Sequence, residues 1–188
     1  IEHPVSQPGL VHDDGKFLIE AIELEHGVDN LGWRITEPDT RKFDRAKLVA
    51  AGVKGPLVRD LEQQGIIVID GHKVTIDDVS TIRKGDSLAV VIDTRYCQNA
   101  IDIAKNAQVL ICESTYLEEH RELAHKHFHM TAREAATIAK LAGAHQLVLT
   151  HFSARYQNLR PFEEEAKSIF PNTYIADDLL TFPFPKGH

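Results

Sequence analysis

Residues 125–156 read HKHFHMTAREAATIAKLAGAHQLVLTHFSARY, and their pattern predicts a helix followed by a strand. Thr131 and Glu134 have the T-x-x-E spacing of a capping box, which predicts a helix that begins directly after Thr131. Gly143 is placed to end that helix. Residues 146–150 then form an apolar run of strand length. The stretch therefore predicts a helix followed by a buried strand, as in an open α/β sheet.

Acidic residues and histidines stand at the ends of the predicted strands. His151 follows residues 146–150, earlier apolar runs end in Asp93 and Glu113, and His26 follows the first predicted strand. Reactive groups collect at the carboxyl ends of strands in an open α/β sheet. Histidine and carboxylate together suit zinc or another borderline metal ion. On the residues alone two interpretations stay open: the four side chains converge on a metal, or each is a solvated strand end.

The histidine run H-K-H-F-H differs from an H-x-H-x-D-H metal motif. Its fifth position is His129 rather than aspartate, and the run follows a predicted helix rather than a strand. We assign His125 and His127 to a solvated helix end. His129 lies directly before the capped helix, where it can be held in place.

The composition indicates an ordinary globular protein. Its 188 residues suffice for one domain with a core, and its net charge of −7 argues against a uniformly basic nucleic-acid-binding surface. No apolar run reaches the length of a membrane span and no signal peptide precedes the first strand, so no membrane association is expected. Cys97 and Cys112 favour a reducing compartment, and we expect a cytoplasmic protein. Because the sole methionine is Met130, we expect the chain to be the later part of a longer protein.

A basic segment, taken as residues 41–79, interrupts the α/β pattern. Its cations are Arg41, Lys42, Arg45, Lys47, Lys54 and Arg59. Short helices are predicted over 43–51 and 57–64, and a hairpin over 66–76 turns at Asp70-Gly71-His72. Because few large apolar residues lie near Gly55, we expect this segment to be an arm that projects from the main core.

The remaining predicted elements complete the pattern. Residues 1–16 are predicted to be loop. The other strands are predicted over 16–25, 31–36, 88–92, 108–112 and 173–176, and the other helices over 99–106, 117–126 and 161–170.

Several stretches resemble one family. They are VIDTRYCQNA (91–100), LICESTYLEEH (110–120), FHMTAREAA (128–136) and LVLTHFSARY (147–156). They resemble ribonuclease Z, the tRNA 3′-end-processing nuclease of the metallo-β-lactamase superfamily. LEHGVDNLGWRITEP (24–38) is similar to its middle histidine motif, and the basic segment with Gly55-Pro56-Leu57 is similar to its tRNA-binding arm. The resemblance runs from about Phe17 to Phe182.

The resemblance implies the fold and the catalytic site. The fold would be the metallo-β-lactamase-like four-layer αβ/βα sandwich, here mostly its C-terminal half with a projecting arm. Asp93 would bridge two zinc ions, with His26 a ligand of one and His151 of the other. Glu113 would orient His129, which protonates the leaving oxygen after hydroxide generated at the zinc ions attacks the phosphodiester.

The resemblance also implies the partners. The substrate would be precursor tRNA, from which the 3′ trailer is removed, and the protein would be a homodimer in which the arm of one subunit serves the other. The residues implied in substrate binding are Lys54, Gly55, Pro56 and Arg59 in the arm, and Arg155 and Tyr156 near the substrate phosphate or the 3′ end.

The chain departs from the family pattern at four points. Ile92 stands where glycine commonly precedes the bridging aspartate, Tyr96 where proline often follows the arginine, and Met130 where the family has H-S-T. The H-x-H-x-D-H motif, which supplies most zinc ligands, is not in this chain and belongs in the half expected to precede Ile1.

Two other functions remain open. One is a different metallo-β-lactamase-fold phosphodiesterase or hydrolase with a small substrate, against which the basic arm argues. The other is a non-catalytic RNA-binding half-protein that pairs with a complete subunit, which the missing histidine motif favours if this chain is the whole of the natural protein.

Overall fold

The computed structural model describes residue 5 and residues 7–185, which divide into two compact units. The main unit consists of the described residues up to Pro38 and from Asp86 onward, and the second unit spans residues 39–85. The predicted arm, residues 41–79, falls within the second unit. No helix of the described residues is long and apolar enough to cross a bilayer.

The strands and helices are numbered along the chain. The strands are β1 (Gly9–Asp13), β2 (Leu18–Glu23), β3 (Leu31–Thr36), β4 (Thr40–Phe43), β5 (Ile66–Ile69), β6 (His72–Thr75), β7 (Ser80–Arg83), β8 (Ser87–Val91), β9 (Val109–Glu113), β10 (Gln146–Thr150) and β11 (Thr173–Ile175). The α-helices are α1 (Arg45–Ala50), α2 (Pro56–Gln64), α3 (Gln98–Ile103), α4 (Arg121–Lys126), α5 (Ala132–Ala142) and α6 (Arg160–Lys167). Short 3₁₀ helices cover Ile76–Asp78 and Glu118–His120.

The main unit is built on a seven-stranded sheet with the order β1-β2-β3-β8-β9-β10-β11. The strands from β1 to β8 pair antiparallel, and those from β8 to β11 pair parallel. In this register Thr150 lies opposite Glu113, and Val91 lies opposite Cys112. The carboxyl ends of β8, β9 and β10 therefore reach the same edge of the sheet.

One face of the sheet carries the helices α3, α5 and α6. Alternate strand residues point into this layer and are buried, namely Ala89, Val91, Leu110, Cys112, Leu147 and Leu149. From the helices they meet small side chains, such as Ala135 and Ala139, and the larger Ile138 and Phe162. The small alanines allow α5 to approach the sheet closely. The described residues of the main unit thus form one sheet and one helical layer, two of the four layers of the expected sandwich.

The helix–strand unit predicted from residues 125–156 is confirmed. Thr131 Oγ1 accepts from the Glu134 N–H at 3.2 Å, and the Glu134 carboxylate accepts from the Thr131 N–H at 3.0 Å. Gly143 ends α5 in the left-handed conformation, with φ of 67°. The next strand covers the predicted residues 146–150.

Two predictions for the main unit are wrong in part. Residues 1–16 were predicted to be loop, but Gly9–Asp13 form a strand; residues 1–4 and 6 lie outside the described part. All five strand residues are exposed, and a bulge interrupts the pairing with β2, so no apolar alternation marks this edge strand. The strand predicted over 16–25 ends earlier, at Glu23, and leaves His26 in the following loop.

The second unit has its own small core. Val53, Leu61, Val74 and Val79 are buried together, between two two-stranded ladders, β4–β7 and β5–β6, and the helices α1 and α2. The predicted hairpin is confirmed, with Asp70-Gly71 as its loop and positive φ at both residues. The helix predicted over 43–51 is shorter, because residues 40–43 pair with residues 80–83, a strand that local sequence did not reveal.

Candidate metal centre

Four polar side chains converge at the carboxyl edge of the main sheet. Asp93 follows β8, Glu113 ends β9, His151 follows β10, and His129 stands just before α5. One ligand atom from each lies within 4.8 Å of every other. The parallel register of β8, β9 and β10 produces this convergence, because it places three consecutive strand ends side by side.

The backbone at this edge is unusual. Asp93 has φ of 58°, His151 has φ of 59°, and Phe128, which precedes His129, has φ of 61°. These are three of the six non-glycine residues with positive φ among the described residues. Residues other than glycine rarely adopt a positive φ. Such residues are often found at functional sites, where contacts with the surrounding structure stabilise the strained backbone.

Asp93 and His151 form the exposed part of the cluster. His151 Nε2 lies 3.1 Å from Asp93 Oδ1, with side chains 38% and 46% exposed. The Asn30 side chain donates to the carbonyls of Ile92 and Asp93 at 2.8 and 2.6 Å, which holds the loop that carries Asp93. Sequence reasoning did not select Asn30. A carboxylate and an imidazole nitrogen that face each other at a solvent-accessible edge are donors that suit zinc.

Glu113 is fully buried, and its carboxylate receives four hydrogen bonds. Oε1 accepts from the Thr94 N–H at 2.5 Å and lies 3.3 Å from His129 Nδ1. Oε2 accepts from the Thr115 hydroxyl at 2.7 Å and from the Met130 N–H at 3.2 Å. Four donors around one carboxylate compensate for its removal from water and fix its orientation.

His129 is held by this carboxylate. The hydrogen bond from Glu113 raises the pKa of His129 above its ordinary value, burial opposes this shift, and the charges of Glu113 and Asp93 add to it. Because Nδ1 faces Glu113, Nε2 is the nitrogen left to exchange a proton with another molecule. The pair can therefore present a cationic imidazole beside the exposed Asp93.

His26 lies at the side of the cluster. Its ring centroid is 5.7 Å from that of His129, and its Nδ1 lies 3.4 Å from the Phe128 carbonyl oxygen. Within residues 7–185, His26 is outside the group whose ligand atoms meet within 4.8 Å. Arg95 stacks over the Phe128 ring at 4.2 Å and completes this side of the site.

His125 lies in the last turn of α4 with its side chain 46% exposed, as expected, but it also makes a contact that was not predicted. Its Nε2 lies 2.7 Å from Glu134 Oε1, the carboxylate of the α5 capping box, which is almost buried. His125 therefore links the end of α4 to the start of α5 instead of being only a solvated helix end. The local pattern could not reveal this contact, because it depends on how the two helices meet.

Arg155 and Tyr156 both contact the loops around the cluster. Arg155 is exposed, and its guanidinium carbon lies 5.2 Å from the Tyr116 ring, which is itself 6.2 Å from the His129 ring. The Tyr156 hydroxyl accepts from the Leu117 N–H at 3.2 Å and lies 2.9 Å from a nitrogen of His120. Tyr156 thus ties its loop to the segment after β9, and Arg155 is the freer of the two.

The sheet with helices on one face and a histidine–carboxylate cluster at its carboxyl edge defines a metallo-β-lactamase-fold chain. Residues 79–152 match the family described as the β-lactamase superfamily domain. Two solved structures share the fold. The metallo-β-lactamase-fold protein YhfI from Bacillus subtilis has a TM-score of 0.59 at 22% identity, and the match covers 94% of this chain and 52% of that one. The short form of human tRNase Z has a TM-score of 0.55 at 23% identity, covering 94% and 46%.

The sequence comparison is more specific. A protein of Protochlamydia amoebophila named ribonuclease Z is 63% identical over 186 residues, which are 99% of this chain and 61% of that protein. The resemblance to ribonuclease Z is therefore confirmed. The chain spans about 61% of the length of that relative.

Proposed function

We propose that the complete protein is a zinc-dependent endoribonuclease that removes the 3′ trailer from precursor tRNA. The convergence of Asp93, Glu113, His129 and His151 at one sheet edge carries this proposal, together with the similarity to a protein named ribonuclease Z. Asp93, His151 and His26 would contribute to holding two zinc ions. When bound, zinc supplies Lewis-acid activation of water and stabilises the charge that builds on the phosphate.

Two residues of this chain, Glu113 and His129, would supply the proton that the leaving group needs. Glu113 holds the Nδ1 side of His129, so His129 would give the proton on Nε2 to the departing 3′ oxygen. The oxygen from water stays on phosphorus. The tRNA would leave with a 3′-hydroxyl and the trailer with a 5′-phosphate.

The second unit would bind the tRNA. Lys54, Gly55, Pro56 and Arg59 are all exposed, as are Lys42, Arg45 and Lys47. Gly55 has φ of 55°, and a Cβ at this position would meet no atom within 4 Å, so its backbone is open to a phosphate. Arg41 differs, because its guanidinium donates to Asp77 at 2.7 Å and to Ser80 at 2.8 Å. Arg41 therefore stabilises the unit, while the exposed cations are suited to phosphate contacts.

Two further properties belong to the same proposal. We place the protein in the cytoplasm, where its two buried free cysteines would stay reduced. We also propose a homodimer in which the arm of one subunit binds the tRNA that the other subunit cuts, in line with the family resemblance.

Cleavage of a precursor tRNA by the complete protein tests the proposal. We expect a 3′-hydroxyl on the tRNA and loss of activity in Asp93→Ala. Hydrolysis of bis(p-nitrophenyl) phosphate without any RNA cleavage would instead support the small-substrate alternative. RNA binding with neither reaction would support the non-catalytic half-protein.

The arm is tested separately. Deleting residues 41–79, or combining Lys54→Ala with Arg59→Ala, should raise KM for precursor tRNA and flatten its salt dependence, because fewer counterions are released on binding. Hydrolysis of the small phosphodiester should survive. Lys16→Ala, which removes an exposed cation of the main unit, is the control. Equal loss of both activities would show that the segment belongs to the catalytic core.

A further inference from the structure

Thr115 touches both halves of the candidate site. It lies two residues after Glu113 and is 6% exposed. Its hydroxyl oxygen is 2.7 Å from Glu113 Oε2 and 2.9 Å from His151 Nδ1. Glu113 belongs to the proton-transfer pair, whereas His151 is a proposed metal ligand, so one hydroxyl connects the two functions.

The direction of these hydrogen bonds follows from counting donors. A hydroxyl has one hydrogen, and the Glu113 carboxylate, which is surrounded by donors, accepts it. The Thr115 oxygen is then left with lone pairs facing His151, so it accepts from Nδ1–H. With its hydrogen on Nδ1, His151 has the Nε2 lone pair available for a metal ion, which the carboxylate of Asp93, 3.1 Å from Nε2, would also hold.

The backbone keeps Thr115 in this position. The preceding residue, Ser114, donates its N–H to the Thr150 carbonyl at 2.9 Å, and the Ser153 N–H donates to the Thr115 carbonyl at 3.1 Å. These bonds join the segment after β9 to the segment after β10. Threonine also has few side-chain rotamers, so its hydroxyl loses little freedom on making both bonds.

We propose that Thr115 is a positioning residue that sets the tautomer of His151. Glu113 accepts the hydrogen of the Thr115 hydroxyl, so the hydroxyl oxygen faces His151 and favours a hydrogen on Nδ1. One buried carboxylate thereby orders two histidines: His129 directly and His151 through Thr115. The inference rests on the proposed function only in taking His151 to be a metal ligand. Partners that fix the second ring nitrogen of a ligand histidine typically contribute 10–100-fold in metal affinity.

Replacing Thr115 in the complete protein tests this role. Thr115→Val keeps the shape and removes the hydroxyl, whereas Thr115→Ser keeps the hydroxyl. Zinc affinity, measured by competition with a chelator, should fall about 10–100-fold in Thr115→Val and stay close to wild type in Thr115→Ser. Thr137→Val is the matched control, because its hydroxyl bonds only a helix carbonyl, that of Arg133.

A second readout reports on the Nδ1–H bond itself. In the zinc-loaded protein, ¹⁵N NMR should show a His151 Nδ1–H that exchanges slowly with water, and in Thr115→Val this exchange should be faster because the acceptor is gone. Unchanged exchange and unchanged zinc affinity in Thr115→Val would overturn the inference, as would an equal loss of affinity in Thr115→Ser. Normal zinc binding with the expected Thr115 effects but no RNA cleavage would overturn the proposed function alone. Failure of the wild type to bind zinc would overturn both.

Discussion

Glu113→Gln probes the buried centre of the site independently of any metal. The two carboxylate oxygens each accept one backbone N–H, from Thr94 on Oε1 and from Met130 on Oε2. Glutamine offers one oxygen and one NH₂ group, which only donates. In either orientation of the amide, one of these backbone N–H groups faces the NH₂ donor. Because a backbone N–H cannot rotate as a side chain can, that group loses its acceptor.

The expected cost follows from that lost partner. A buried donor left without an acceptor costs about 1–3 kcal/mol, so Glu113→Gln should lower the free energy of unfolding by about that amount. Urea denaturation with a chelator present measures it without a contribution from metal binding. Glu23→Gln, at an exposed position in β2, is the control and should change stability by less than about 0.5 kcal/mol.

Undiminished stability of Glu113→Gln would contradict this prediction. If Glu113→Gln were as stable as the wild type or more so, the cost of burying the charge would exceed the value of its hydrogen bonds. The carboxylate would then not be the fixed acceptor from which the arrangement of His129 and Thr115 is derived.

Three further predictions concern the surroundings of the site. Thr131→Ala should cost about 1 kcal/mol in urea denaturation, because the α5 cap loses its acceptor; a cost near zero would contradict the cap. His129→Ala should reduce kcat of the complete enzyme about 10²–10⁴-fold with unchanged zinc content, and zinc loss in proportion to activity would contradict its role as an acid. Burial raises the pKa of Glu165 above its ordinary value of 4.5. Ionised Glu165 therefore lowers the free energy of unfolding at pH values above its folded-state pKa, and this destabilisation disappears as the pH falls below 4.5. Glu165→Gln should therefore gain stability at pH 7 relative to the wild type and lose that gain in acid, whereas Glu164→Gln, at an exposed position, should show no such trend.

The sequence predicted those parts of the fold that depend on neighbouring residues. The cap at Thr131, the glycine that ends α5 and the apolar run of β10 are all local signals. The strands β1 and β7 were missed because both are short and largely exposed. A bulge interrupts the pairing of β1 with the neighbouring β2, and β7 forms by pairing with the distant residues 40–43. Their residues carry no alternating pattern from which burial could be predicted.

The sequence predicted which residues form the candidate site, but not the backbone conformation or the hydrogen bonds that hold them. Polar residues at successive strand ends selected Asp93, Glu113 and His151. Asp93 and His151 adopt positive φ beside contacts between segments far apart in the chain, such as Asn30 with the Asp93 carbonyl and Ser114 with the Thr150 carbonyl, and no local pattern predicts this. For the same reason Asn30 and Thr115 carried no signal, since a threonine or an asparagine in a loop is ordinary until its partners are known.

Zinc content shows whether Asp93 holds the metal ions. The Asp93 carboxylate would contribute to holding two zinc ions, and elemental analysis of the complete protein should find two zinc ions per chain in the wild type. Asp93→Ala should lose most of this zinc, while Asp29→Ala, at an exposed loop position, should keep it. Two zinc ions retained by Asp93→Ala would show that Asp93 is not a metal ligand.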